Sequence, residues 1–308
     1  MPVIVAPMFL VSGPALVLAA CAEGLVGSFP AHATRTRAEF EAWLVEIEEG
    51  LAALRAAHPD RVVAPYGVNL VTHATNPRMA GDLELCLRYR VPVVLTSKSA
   101  PIDLVPTVQS YGGVVLHDVA SRRHAEKAAA AGVDGLIAVA TGAGGHTGTI
   151  NPFALLNEVR SVWDGPLALA GCIGTGADIL AAQAMGADLA YVGTRFLATE
   201  ESLASDGHKA MVAADGASDV FFSAAVDGAP ANFLTRSLLA AGIELDALRT
   251  TLPGAIVAAG TAKRWKNLWS AGQGIGAVKA VEPARAVAQQ LKREYAAARA
   301  TLLARLSG

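Results

Sequence analysis

Eight short apolar runs, each followed by a loop and then a helical pattern, limit what this chain can fold into more than any other feature. They cover residues 3–6, 25–28, 66–70, 92–96, 114–117, 135–139, 167–170 and 190–193. The runs are continuous rather than alternating, as strands buried on both faces read. Eight strand–helix units are the count of a (β/α)8 TIM barrel, an α/β fold. A doubly wound open sheet uses the same alternation, but no glycine fingerprint follows the first run. Two segments repeat one junction: "AAAAGVDGLIAV" (128–139) and "AAQAMGADLAYVG" (181–193) both read helix, glycine turn, aspartate, strand. "AACAEGLVGS" (19–28) is a looser copy. In each, glycine ends the helix because it accepts the left-handed conformation of a C-cap.

The rhythm changes after the eighth run. Residues 208–265 show no further strand–helix unit and look mostly helical, which predicts a helical cap inserted into a barrel made of 1–207 and 266–308. "WSAGQGIGAV" (269–278) reads as a loop, and a long charged helix is expected from 282 to 305.

Composition narrows the function classes. At 53% hydrophobic and 17% charged residues the chain suits a dense core, and its 308 residues need no metal or disulfide staple. A formal net charge of −2 offers no basic footprint for nucleic acid. The basic cluster "KRWK" (263–266) reads as a solvated helix end. Cys21, Cys86 and Cys172 are too widely spaced for a disulfide framework or a zinc site, which points to a reducing cytoplasm. The uncharged start carries Pro2, Pro7 and Pro14 within its apolar run and no basic residue before it, so neither a signal peptide nor a membrane span is expected.

Barrel chemistry sits at the carboxyl ends of the strands, with phosphate groups commonly held after strands seven and eight. There "AGCIGTGADIL" (170–180) runs a glycine-bearing turn into a helix, and "GTRF" (193–196) follows strand eight. Free N–H groups and a positive dipole end suit a phosphate, although Gly171, Gly174 and Gly176 also suit a plain tight turn. After strand six, "ATGAGGHTGT" (140–149) sets four glycines around His146. Bare backbone lets a flat ligand approach, and an imidazole titrates near neutrality, so His146 is the candidate base. His117 at the end of strand five faces the same mouth or makes a structural hydrogen bond with its neighbours. Lys98 in "TSKSA" could form a Schiff base, but its polar surroundings do not favour a lowered pKa. "GQGIG" follows no strand and is not read as a dinucleotide site.

In one order, "APMFLVS", "GAGGHTG", "AGCIGTGADILAAQAMGAD" and "GTRFLATEES" make the chain resemble the nitronate monooxygenases, formerly called 2-nitropropane dioxygenases. The resemblance runs from Val3 to the "AGQGIG" loop. It implies a barrel with a helical insertion and non-covalent FMN. By motif, Ala6, Pro7 and Met8 would line the isoalloxazine, with Asn69 near its polar edge and Gly144 and Gly145 against the ring. Gly171, Cys172, Gly193 and Thr194 would hold the phosphate, and Ser270 and Gln273 would close over the cofactor. His146 would take the α-proton of a nitroalkane or fix a nitronate, with O2 as cosubstrate and a carbonyl compound and nitrite as products.

Two departures stand out. Many members carry Lys where this chain has Asp118, and an acidic residue where it has Val139. An FMN-dependent NAD(P)H oxidoreductase of the enoyl-acyl-carrier-protein reductase or quinone reductase type fits the same loops. A flavin-free lyase using Lys98 and a non-catalytic FMN-binding protein are the remaining readings, and a homodimer is left open.

Overall fold

The computed structural model describes residues 1–252, 254–257 and 265–307. Eight parallel strands follow one another: β1 (Val3–Val5), β2 (Gly27–Pro30), β3 (Tyr66–Val71), β4 (Val93–Ser97), β5 (Val114–Val119), β6 (Gly135–Val139), β7 (Leu167–Ala170) and β8 (Leu189–Val192). Their order in the sheet is β1-β8-β7-β6-β5-β4-β3-β2. A parallel bridge between Ile4 and Val26 joins the two ends, with Val5 N–H donating to Val26 C=O at 2.8 Å. The sheet therefore comes round into a nearly closed TIM barrel. Helices α1 (Pro14–Ala22), α2 (Arg37–Ala57), α3 (Met79–Arg88), α4 (Val105–Gln109), α5 (Arg122–Ala130), α6 (Pro152–Arg160) and α7 (Gly176–Ala184) alternate with the strands. The C-terminal helix Ala284–Leu306 packs against α7 and α1 and takes the last place in the ring.

Alternation along each strand divides two cores. Inward-facing Ile4, Leu95, Leu116, Ile137, Ala168 and Ala170 fill the barrel, with Val139 and Tyr191 packed on them. Outward residues such as Val94, Val115 and Leu169 meet the helices in the larger outer core. Gly135 fits this layering: a Cβ there would lie 2.4 Å from Leu116 Cδ2. Each fully buried leucine or valine contributes about 1.5–3 kcal/mol, so these layers are the main source of rigidity under the mouth.

The second strand starts two residues later than the apolar run suggested. Helix α1 ends at Glu23, Gly24 turns the chain at φ 73°, and Leu25 is spent as a core residue. Gly27 then lets β2 pass close to α1, where a Cβ would come within 2.5 Å of Val17 O.

After β8 the chain holds helices Asp206–Ala214, Thr235–Ala240 and Leu245–Thr250. Between the first two lies an antiparallel ribbon, Val220–Ser223 with Ala231–Leu234, absent from the sequence reading of this segment. Strands this short carry β-prone Val220, Phe221, Phe222 and Phe233 but too few residues for a period to register. Ala231 and Asn232 pair in turn with His146 and Gly145, so the insertion is stitched to the loop after β6. Residues 258–264 of the expected cap, with Lys263 and Arg264 of the basic cluster, lie outside the described residues. Among the described residues no helix is long and apolar enough to cross a membrane.

Candidate functional site

The loops after β6, β7 and β8 and the loop 270–277 close on one another at the carboxyl end of the barrel. Gln273 N–H donates to Gly142 C=O at 2.8 Å, and a Cβ on Gly142 would lie 2.5 Å from Cys172 Sγ. Gly272 N–H donates to Thr194 Oγ1 at 2.8 Å. Gly144 packs against the same loop, where a Cβ would come within 2.9 Å of Gly272 N. Gly193 faces the loop after β1, with the Ala6 Cβ and Met8 Sδ each 3.5 Å from its Cβ position. Met8 is anchored by its N–H to Ser12 Oγ at 3.0 Å, and Pro7 lies between these two contacts, half-buried. The structure thus brings Ala6, Pro7, Met8, Gly144, Gly145, Gly171, Cys172, Gly193, Thr194, Ser270 and Gln273 to one rim. Asn69 lies on the inward face of β3, its Nδ2 donating to Leu95 C=O at 3.3 Å.

The donors expected for a phosphate are partly taken. At the start of α7 the N–H groups of Gly174 and Thr175 go to Asp178 Oδ2 at 2.9 and 2.8 Å, and that of Gly176 goes to Glu294 Oε2 at 2.8 Å. Two carboxylates therefore satisfy that helix end, which corrects its reading as a set of free donors. One step earlier, Gly171 (φ 113°) and Cys172 (φ 61°) turn the chain through left-handed backbone. The N–H groups of Cys172, Ile173 and Gly193 make no hydrogen bond among the described residues. The first N–H groups of the short helix Thr194–Leu197 lack intrahelical acceptors by geometry. These donors at the ends of β7 and β8 fit an anionic group such as a phosphate, displaced from the α7 terminus to the turn before it. The Cys172 thiol is exposed, 3.5 Å from Thr141 O and 3.7 Å from Gln273 Oε1, and partial burial raises its pKa.

His146 is held from both sides. Ser270 Oγ accepts from Gly145 N–H at 2.6 Å and donates to Asn232 C=O. Asn232 Nδ2 donates to Ala143 C=O at 2.7 Å. Ser270 is thus a tie between the ribbon and the histidine loop. His208 supports it from below, with Nε2 3.0 Å from Ser270 O and its ring stacked 5.3 Å from Trp269. The His146 ring packs 5.0 Å from Trp265, and its Nε2 lies 2.9 Å from Asp227 Oδ2. Burial and the Lys98 ammonium lower the imidazole pKa, while Asp227 raises it. The lowering wins, which favours the neutral ring. With Nε2–H donated to the carboxylate, the Nδ1 lone pair is left to take a proton.

Strand five separates two roles. His117 points outward, buried, with Nδ1 2.8 Å from Thr96 Oγ1, and burial pushes its pKa down to about 4. It is a core histidine rather than a group of the mouth. Asp118 follows on the inward face, where burial raises its carboxyl to about 7 against the pull of Lys98. Asp227 and Trp265 were not found by sequence reasoning. Asp227 lies 81 residues from His146, in a segment without a motif, and only the ribbon pairing brings the two together.

The chain is similar to known proteins in sequence and fold. The nitronate monooxygenase family model matches residues 1–294. A (3aS,4S,5R,7aS)-5-hydroxy-7a-methyl-1-oxo-octahydro-1H-indene-4-carboxyl-CoA dehydrogenase of Rhodococcus jostii is 32% identical over 77% of this chain and 64% of its own length. The match thus spans less than two thirds of that relative. A nitronate monooxygenase of Paraburkholderia phytofirmans is 29% identical over 79% of this chain and 76% of its own. The structure of FabK from Thermotoga maritima superposes with a TM-score of 0.78 at 22% identity, covering 98% of this chain and 95% of that one, and so shares the fold. A family match along nearly the whole chain, on a barrel whose rim gathers the glycine loops and their histidine, places this protein in the nitronate monooxygenase family of oxidoreductases.

Proposed function

We propose that this protein is an FMN-dependent oxidase of nitronates and nitroalkanes that uses O2 and releases a carbonyl compound and nitrite. The observation that carries the reading is His146, hydrogen-bonded to Asp227 at 2.9 Å and set among glycines at the rim. Backbone N–H groups of Cys172, Ile173, Gly193 and Thr194 would hold the phosphate. Ala6, Pro7, Met8, Gly144 and Gly145 would bound the ring, and the loop carrying Ser270 and Gln273 would cover it. Bound there, FMN supplies the electron acceptor and the partner for oxygen. His146 Nδ1 removes the α-proton of a neutral nitroalkane, and Asp227 stabilises the imidazolium that results. With a nitronate, already ionised, the same ring is a positioning group. Trp265 packs against one side of this ring.

A second reading is an FMN-dependent oxidoreductase acting on an acyl thioester, with NAD(P)H as a reductant. The relative named as a CoA-ester dehydrogenase favours it, at 32% identity. Reduction of an enoyl thioester adds hydride at the β-carbon and a proton at the α-carbon, and in this reading His146 delivers that proton in its protonated form. The test is a visible spectrum of the purified protein, followed by anaerobic addition of propionate 3-nitronate. Bleaching of a flavin band and nitrite on admitting air support the first reading. A flavin that responds only to NAD(P)H and an enoyl thioester supports the second, and the absence of flavin after reconstitution with FMN overturns both.

A further inference from the structure

Resting on the FMN reading above, we propose that Asp118 is a flavin-facing group that presents a neutral carboxyl to the bound ring, so that flavin affinity depends on its proton. Asp118 sits near the carboxyl end of β5, two positions after Leu116 of the barrel interior, and so faces the mouth from within. Its Oδ1 is buried and has no hydrogen-bond partner among the described residues. A buried carboxyl oxygen without a partner is costly, and a ligand in the mouth that accepts from or donates to it would remove that cost.

The surroundings define its charge. The loop after β4 brings Lys98, whose ammonium favours the carboxylate and acts on His146 as well. Strand β8 brings the inward Tyr191, whose pKa the Asp118 charge raises further. On β6 the inward neighbour Val139 is apolar. Burial outweighs Lys98 and carries the carboxyl to about 7, so its neutral form persists where ordinary aspartates have ionised. A neutral carboxyl donates its O–H to a carbonyl or ring nitrogen of the isoalloxazine. A carboxylate can only accept, and it repels the negative charge of a reduced flavin.

The experiment titrates apo-protein with lumiflavin, which lacks the phosphate and its own ionisation, reading fluorescence quenching from about pH 6 to about pH 8.5. Wild type is expected to weaken about tenfold or more across this range, and Asp118→Asn to show a flat profile. Lys98→Gln keeps the test independent of that variant: losing the cation moves the wild-type midpoint to higher pH. A second readout is the midpoint potential of bound FMN, expected to be higher in Asp118→Asn than in wild type at about pH 8.5 and to converge with it at low pH. Equal pH profiles in wild type and Asp118→Asn, or a midpoint unmoved in Lys98→Gln, overturn the proposal. A wild-type protein that binds neither lumiflavin nor FMN at any pH overturns the cofactor reading and the proposal with it.

Discussion

Nε2 of His146 and Oδ2 of Asp227 lie 2.9 Å apart, although one belongs to the loop after β6 and the other to the turn between the ribbon strands, 81 positions on. The histidine and the carboxylate it contacts therefore come from the barrel and from the segment after β8 respectively. His146→Ala should lower kcat/KM for a neutral nitroalkane by about 10²–10⁴-fold, the usual worth of a positioned base. The preformed nitronate should lose much less, since its proton is already gone. Asp227 raises the imidazole pKa, so Asp227→Asn should move the acid limb of the kcat/KM profile to lower pH and reduce the plateau. Paired rate–pH profiles on nitroethane and its nitronate check both, and equal losses on the two substrates would deny His146 the role of base.

The Ser270 hydroxyl ties this pair to the late loop. Ser270→Ala leaves the Gly145 N–H without its acceptor at 2.6 Å and frees the Asn232 carbonyl. An unsatisfied buried donor costs about 1–3 kcal/mol, so the urea midpoint should fall accordingly. Amide exchange at Gly145 should quicken while that of the barrel strands stays unchanged. Uniform protection in the variant would show that the hydroxyl does not hold this strand.

The barrel was legible because its signals are local. Continuous apolar runs, glycine C-caps and the repeated helix–turn–aspartate–strand junction each lie within about a dozen residues. The rim was legible for a similar reason: Gly142, Gly171 and Gly193 stand at strand ends, where the fold itself puts chemistry. What the sequence concealed are pairings across long separations. Asp227 has no fixed offset from His146, and the ribbon joining them has strands of four residues. The occupied N-terminus of α7 was hidden in part because Glu294, which caps Gly176, lies 118 residues away. His117 and Asp118 are adjacent in sequence yet face opposite sides of the sheet, and only strand register decides which one enters the mouth.

Gly176 is a test of how the barrel ring closes. A Cβ there would lie 2.1 Å from Tyr295 N and 2.4 Å from Leu291 O, both backbone atoms of the C-terminal helix. Neither can rotate away, so Gly176→Ala must push the two helices apart and strain the Glu294 bond. A loss of about 2–3 kcal/mol or more is expected in chemical unfolding. Gly276→Ala is the matched control, because nothing lies within 4 Å of its Cβ position. It should stay within about 0.5 kcal/mol of wild type. Similar losses in both variants would mean that glycine content, rather than helix contact, sets the effect.

His117 supplies a pH dependence whose sign is fixed by its burial. Its folded pKa of about 4 lies below the ordinary histidine value, so between the two the unfolded chain binds more protons. Stability from this group is therefore complete above the unfolded pKa and is lost as pH falls towards the folded one. At about 1.4 kcal/mol per unit, the loss from pH 7 to about pH 4.5 is on the order of 2–3 kcal/mol. His208, also pushed to about 4, adds in the same direction, while the raised carboxyl of Asp118 opposes it. Both are present in wild type and in His117→Gln, so comparing the two isolates His117. At pH 7 the variant should be less stable by about 1 kcal/mol or more, having disturbed the contact with Thr96. At about pH 4.5 the deficit should shrink or reverse, because glutamine has no proton to gain. Urea midpoints at the two pH values decide it, and a constant gap would mean that His117 has the same pKa in the folded and the unfolded protein.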